Sequence, residues 1–432
     1  MKTTPLWLAG AALALLFSGC PAGDDGGQGG TLDGTAGDGG CVEPQPLDIL
    51  PSNPEFKGIT SGTAAAPSVP WRSIARGHVD EAASSVSCCE DYVLGSEASS
   101  MLTIVFGAAA NGFAVFDDQP NVELDAGGNV VDVALADLDG DDRSDLIALL
   151  LDGELTVRSG TDAPPFFENG FTTFSTALDN EAIGRDQIVT TDVDCDGAPD
   201  VLLPSDGGVV VMLNDGSGQL SVETSVTSHV ALDWVAAGDL DHDDDADIVA
   251  SASDGTVQVW LGNCGDFDLS GTYGNPLSPG TFQDTRIALA VACPSFQSLA
   301  IAFSYGDTVD VYCGDGSGDF SYVREAHNEE TAEGADFQWR PGQAFAPPRY
   351  ADLAVAGTGT QQVLGLDIKD NTIVALVPAT CGSASSSHSI TMSYPASLPS
   401  PLSRLIATPN PSAWGTWERL SMVGGAGLQV IR

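Results

Sequence analysis

Basic side chains are scarce: 15 Lys and Arg stand against 60 Asp and Glu, a formal charge of −45. A surface of that sign repels phosphate backbones and anionic headgroups, which disfavours nucleic acid and anionic membrane surfaces as partners and leaves room for a cationic or metal-bridged one. Histidine is also rare, and the five present (His78, His229, His242, His327, His388) lie singly along the chain. There is no GxSxG, no HExxH and no P-loop, so no known catalytic constellation is spelled out. There is no CxxC either, which removes the usual redox and zinc signatures. The most prominent apolar run, Leu6 to Phe17, is too short to span a bilayer. No long amphipathic helical pattern occurs, and with 50 glycines the chain reads as an all-β body larger than one sandwich.

What is abundant is aspartate, and its placement is regular. Asp192, Asp194, Asp196 and Asp200 occupy positions 1, 3, 5 and 9 of a nine-residue loop with Gly197 at position 6, and the loop runs into the apolar stretch Val201 to Leu203. Each close carboxylate pair repels by roughly 1 kcal/mol in water and about 4 kcal/mol at a partly buried surface, so a cation is expected among them. Side chains at 1, 3 and 5 of a tight turn converge, the carbonyl at 7 can turn inward, and the carboxylate at 9 closes an all-oxygen shell. Such a shell suits Ca²⁺ and not zinc. An EF-hand would close at position 12 and continue as a helix, whereas here the following residues are β-formers.

The pattern recurs on both sides. Asp137, Asp139, Asp141 and Asp145 precede Leu146-Ile147-Ala148, and Asp239, Asp241, Asp243 and Asp247 precede Ile248-Val249-Ala250. The first aspartates are 55 and 47 residues apart, a spacing that marks a solenoid or a propeller. Asp142 and Asp244 replace the glycine of position 6, which predicts left-handed, strained backbone there and weaker metal binding than at the 192 to 200 loop. His242 is read as a turn residue. The turn Asn214-Asp215-Gly216-Ser217-Gly218 returns as Gly314-Asp315-Gly316-Ser317-Gly318.

Loops, following strands and turns together resemble FG-GAP/VCBS repeats, the units of integrin-alpha-type β-propellers. The resemblance implies an all-β propeller with Ca²⁺-binding loops. Strand counting makes it seven-bladed, with such loops in three blades. Clear units cover 130 to 177, 185 to 227 and 233 to 273, each with an inner strand, the acidic loop, a second strand, an Asp-Gly-type turn, a third strand and an outer one. Two more keep the strands but lose the aspartates: residues 286 to 323, with Ala290, Ala292, Pro294 and Ser298 at the ligand positions, and residues 344 to 379, with Asp352 closing a loop before a second strand. Met101 to Phe116 and Leu420 to Ile431 read as second and third strands of the terminal blades. A segment such as Phe56 to Thr60 is expected to pair with Leu428 to Ile431 and close the ring, removing an open sheet edge. Tryptophan and phenylalanine are expected between blades.

The beginning of the chain has its own logic. Residues 1 to 19 have the layout of a secretion signal, and Ser18-Gly19-Cys20 resembles the bacterial lipobox, which implies a lipidated Cys20 and a membrane anchor. Pro21 after it implies the outer membrane if the cell is Gram-negative. Residues 20 to 46 are too poor in apolar side chains to fold and read as a tether, leaving 47 to 432 as the propeller. Apart from Cys20 there are eight cysteines, an even number that suits export and disulfides; the pairing stays open. The expected function is a lipid-anchored, non-catalytic binding, adhesion or scaffold module of the cell envelope, with a protein or glycan ligand. A glycan-active enzyme at one mouth of the central channel is the alternative, since an inventory rich in carboxylates leaves a glycosidase-like pair open.

Overall fold

The computed structural model describes residues 71–80, 91–110, 113–116, 121–176, 178, 188–274, 285–293, 298–305 and 308–326, together with the strands from Tyr350 to Ile431 and Phe56–Gly58. The signal segment, Cys20 and the tether lie outside these residues. All elements among them are strands, and they form seven four-stranded antiparallel sheets and one two-stranded hairpin.

In chain order, sheet 1 starts at Ser73–Gly77, sheet 2 at Val130–Ala136, sheet 3 at Val189–Thr191 and sheet 4 at Leu232–Gly238. Sheets 5, 6 and 7 start at Arg286–Cys293, Tyr350–Ala356 and Leu402–Thr408. These first strands touch one another in sequence, and that of sheet 7 touches that of sheet 1, so the sheets form a closed cycle. Sheet 7 is completed by the other end of the chain: Phe56, Lys57 and Gly58 pair with Ile431, Val430 and Gln429. The expected closure is therefore present, and it removes the free edge of Gly427–Ile431.

Packing between sheets explains the strand compositions. Second strands such as Asp145–Leu150 and Asp247–Ala252 are buried along their whole length, because both faces meet a neighbouring sheet. Apolar side chains therefore run on without alternation. Outer strands such as Asp266–Tyr273 are mostly solvated and polar. One core cluster sits in each described seam: Phe106, Val133 and Phe167 between sheets 1 and 2, Leu155 and Met212 between 2 and 3, Trp260 and Val211 between 3 and 4, and Trp234 and Tyr312 between 4 and 5. Arg286 lies 4.4 Å above the ring of Trp234 across that last seam.

Two strand assignments differ from the sequence reading. In sheet 1 the second and third strands are Asp91–Ser96 and Ser99–Val105; the remainder of the 101 to 116 stretch, Gly107–Ala110 and Phe113–Phe116, forms a separate hairpin before the outer strand Val122–Asp125. A continuous apolar run hid the break at Phe106. In sheet 6 Tyr350–Ala356 is the innermost strand, not the second, so Asp352 lies inside a strand and closes no loop.

Candidate metal centres

Each acidic loop joins the first and second strands of its sheet, and the three have one construction. The residue at position 2, Leu138, Val193 or Leu240, is buried in the seam core and anchors the loop. Backbone at positions 4 and 6 is left-handed in all three. At position 6 the φ values are 67° for Asp142, 92° for Gly197 and 71° for Asp244, as the sequence predicts. At position 4 they are 72° for Gly140, 64° for Cys195 and 68° for His242, a requirement that sequence reasoning missed.

Position 9 has a structural task of its own. Asp145 accepts hydrogen bonds from the Leu138 and Gly160 amides, both at 2.8 Å. Asp200 accepts from Val193 and Asn214, also at 2.8 Å, and Asp247 from Leu240 at 2.5 Å and Gly262 at 2.7 Å. One carboxylate thus ties the loop to the far end of the third strand. Burial pushes all three carboxyls up to about 6; the two amide hydrogen bonds pull the other way, and the neighbouring aspartates add to the rise.

The other aspartates converge as the spacing requires, in threes. Asp137, Asp139 and Asp145 bring one oxygen each within 4.8 Å of one another, as do Asp192, Asp194 and Asp200. In the third loop the trio is Asp239, Asp241 and Asp243. Asp141, Asp196 and Asp247 stand outside these trios; Asp141 and Asp196 turn back to accept the amides of Arg143 and Ala198. Burial, with nearby carboxylates adding to it, raises the carboxyls of Asp141 and Asp241 above the usual aspartate range. Asp194 is raised too, first by burial. Two buried oxygens, Asp192 Oδ1 and Asp241 Oδ1, have no hydrogen-bond partner. Unpartnered buried carboxylate oxygens facing further carboxylates fit a hard cation, and the donor set holds only oxygen.

Neighbouring sheets complete each loop. The Asn214 side chain donates to Leu138 O at 2.8 Å and the Gly218 amide to the same carbonyl at 3.1 Å, so the turn of sheet 3 covers the loop of sheet 2. The turn of sheet 5 covers the loop of sheet 4, where a Cβ on Gly316 would come within 3.0 Å of His242 Nε2. Between sheets 3 and 4 the same link is covalent: Cys195, at position 4 of the loop, is bonded to Cys264 in the turn of sheet 4. Asp245 approaches both sulfurs, but with the thiols joined these residues offer no thiolate to a metal. Cys313 is disulfide-bonded as well.

The sequence model of the FG-GAP-like repeat matches residues 192–250, which holds the second and third loops. BBS1N, solved in complex with ARL6DN, is 12% identical over 87% of this chain and 96% of its own, with a TM-score of 0.50. The chain has a β-propeller fold, and residues 192–250 within it match an FG-GAP-like repeat. Its sheets are the blades of the propeller. Sqt1 of Saccharomyces cerevisiae is 11% identical over 86% of this chain and 98% of its own, with a TM-score of 0.49. A lectin of Agrocybe aegerita, solved for its recognition of non-reducing terminal N-acetylglucosamine, is 17% identical over 74% and 80%, with a TM-score of 0.47. No curated protein sequence matches the propeller.

Proposed function

We propose that this propeller is an exported, lipid-anchored binding or scaffold module of the cell envelope, without catalytic activity, whose three acidic loops hold Ca²⁺ as a structural ion. The observation that carries the metal reading is the pair of unpartnered buried oxygens, Asp192 Oδ1 and Asp241 Oδ1, each within a trio of carboxylates. Asp137, Asp139 and Asp145, then Asp192, Asp194 and Asp200, then Asp239, Asp241 and Asp243 would hold the ions. Bound Ca²⁺ supplies positive charge to three turns whose side chains otherwise repel, and each turn carries a contact to the next blade. Anchoring through Cys20, a protein or glycan as ligand, and the absence of a nucleic-acid partner follow the sequence and its charge.

Thermal melting in calcium and in chelator tests the metal. With free Ca²⁺ about a hundredfold above its dissociation constant, each site adds roughly 2.7 kcal/mol. The melting temperature should fall in chelator, and Asp192→Ala should shrink that fall. An identical melt in both conditions overturns the metal reading. A screen of glycans and envelope proteins, with and without calcium, tests binding.

A further inference from the structure

The seams between blades are not equally closed, and the difference lies at one strand position. The amide bonded by the position 9 aspartate gives a register mark on each third strand: Gly160 in blade 2, Asn214 in blade 3 and Gly262 in blade 4. Four residues before it stand Thr156, Val210 and Gln258, and two residues before it stand Arg158, Met212 and Trp260. In the seam of blades 1 and 2 these side chains bond across to the end of the outer strand. Thr156 Oγ1 donates to Ala126 O at 3.1 Å, and Arg158 donates to Asp125 O while its guanidinium lies over the Phe171 ring. In the seam of blades 2 and 3 Val210 and Met212 are packed into the core.

In the seam of blades 3 and 4 the same position opens into a cleft of about 570 Å³, between the outer strand Leu220–Thr227 and the strands Val257–Asn263 and Asp266–Tyr273. Gln258 lines it and is 7% exposed, yet its carboxamide makes no hydrogen bond to any described residue. The unbonded carboxamide is not sealed from solvent, so water reaches it from the cleft and a ligand there would take over those hydrogen bonds.

We infer that this cleft is a ligand site, and that the ligand is a neutral saccharide. The volume lies within the roughly 300–1,000 Å³ usual for small-molecule sites. Phe267 lies on its floor above the buried Trp260, and Leu269 at its edge is 56% exposed, which suits the C–H face of a sugar ring. Gln258 can donate to one ring hydroxyl and accept from the next, and Thr272 adds a hydroxyl on the wall. No Lys or Arg lines the cleft, so a phosphorylated or carboxylated ligand finds no counter-charge and meets a chain of net charge −45. The inference rests on the reading of the propeller as a binding module, and gives that module a place and a ligand class.

The full mature chain, probed on an array of neutral and acidic oligosaccharides and then titrated with the best neutral binder, tests it. Gln258→Leu should weaken that binding about tenfold, the loss of one or two hydrogen bonds. Thr272→Trp, a change at an exposed position that fills the cleft, should abolish it. Both variants should keep the melting temperature and its calcium response. Neutral binding untouched by either variant overturns the cleft and leaves the binding module standing. Preference for acidic sugars, or for a Lys- and Arg-rich peptide in parallel, has the same effect. If no sugar, peptide or envelope protein binds, both readings fall.

Discussion

The loops at 192 to 200 and 239 to 247 are built on equivalent strands of sheets 3 and 4, anchor the same kind of residue at position 2 and clamp with an equivalent buried aspartate, yet they are held differently. The first has Gly197 at position 6 and a disulfide from position 4 to the next blade. The second forces two non-glycine residues, His242 and Asp244, into the left-handed region and has no covalent link. What the two share is the frame of the turn; what differs is how the frame is kept in shape when the carboxylates repel. The carboxylate at position 9 clamps the fold in both loops and in the first also joins the trio proposed to hold the cation, while positions 4 and 6 carry the backbone strain.

If the clamp is common to both, removing it should do equal harm in either loop. Asp200→Ala leaves the amides of Val193 and Asn214 without their acceptor, and Asp247→Ala does the same to Leu240 and Gly262. At about 1–3 kcal/mol for each buried unsatisfied donor, each variant should lose roughly 2–6 kcal/mol even in chelator. Asp192→Ala in chelator should lose far less, since it relieves repulsion. Denaturant unfolding measures all three, and a mild Asp200→Ala would mean the clamp is dispensable.

The clamp also sets a pH dependence. Its carboxyl is raised from 3.8 to about 6 in the folded protein, so between those values the folded state binds more protons than the unfolded one. Stability of the metal-free protein should therefore fall as pH rises from about 4 to about 6 and stay low above that. Calcium held as proposed would require the ionised form, so adding it should flatten or reverse the slope. Melting temperatures across this window, with chelator and with calcium, check the sign. Asp200→Asn should remove its share of the chelator slope.

The disulfide sharpens the contrast from the other side. Replacing Cys195 and Cys264 by alanine opens a link across 69 residues and should cost about 2–4 kcal/mol. Calcium titration should then show weaker binding at the 192 to 200 loop and unchanged binding at the 239 to 247 loop. Equal weakening at both would mean that the seam, not the individual turn, is the unit being held.

Much of this was legible in the sequence because the signals were local and repeated. Aspartates at fixed offsets before an apolar stretch marked the loop, the second strand and the repeat length together, and the count of strands foretold the pairing of Phe56–Gly58 with the last strand. What could not be read was whatever depends on two blades at once. The Asn214 turn was visible, but its hydrogen bond to Leu138 O joins residues 76 apart, and the partner of Cys195 is in a turn that departs from the repeated motif. That the Asp of position 9 also clamps the loop could not be read, because the amides it accepts come from elsewhere in the blade. Gln258 gave no signal at all, since its distinction is a bond not made.

The smallest expected effect isolates backbone strain from everything else. A left-handed non-glycine residue costs roughly 1–2 kcal/mol relative to an unstrained one, and glycine escapes that cost. Asp244 has φ of 71° and is no member of the carboxylate trio of its loop, so Asp244→Gly should stabilise the protein by up to about 1 kcal/mol, net of the added chain entropy of glycine. It should also bring the calcium affinity of the third loop toward that of the second. The reciprocal change, Gly197→Asp, meets open space, with no atom within 4 Å of the added Cβ, so its cost would be backbone strain plus the repulsion of one more carboxylate in the loop. Equal and opposite shifts in denaturant midpoint would show that position 6 sets the difference between the loops. A stabilising Asp244→Gly beside a neutral Gly197→Asp would instead place the strain in loop three as a whole, where His242 at position 4 is the other left-handed residue.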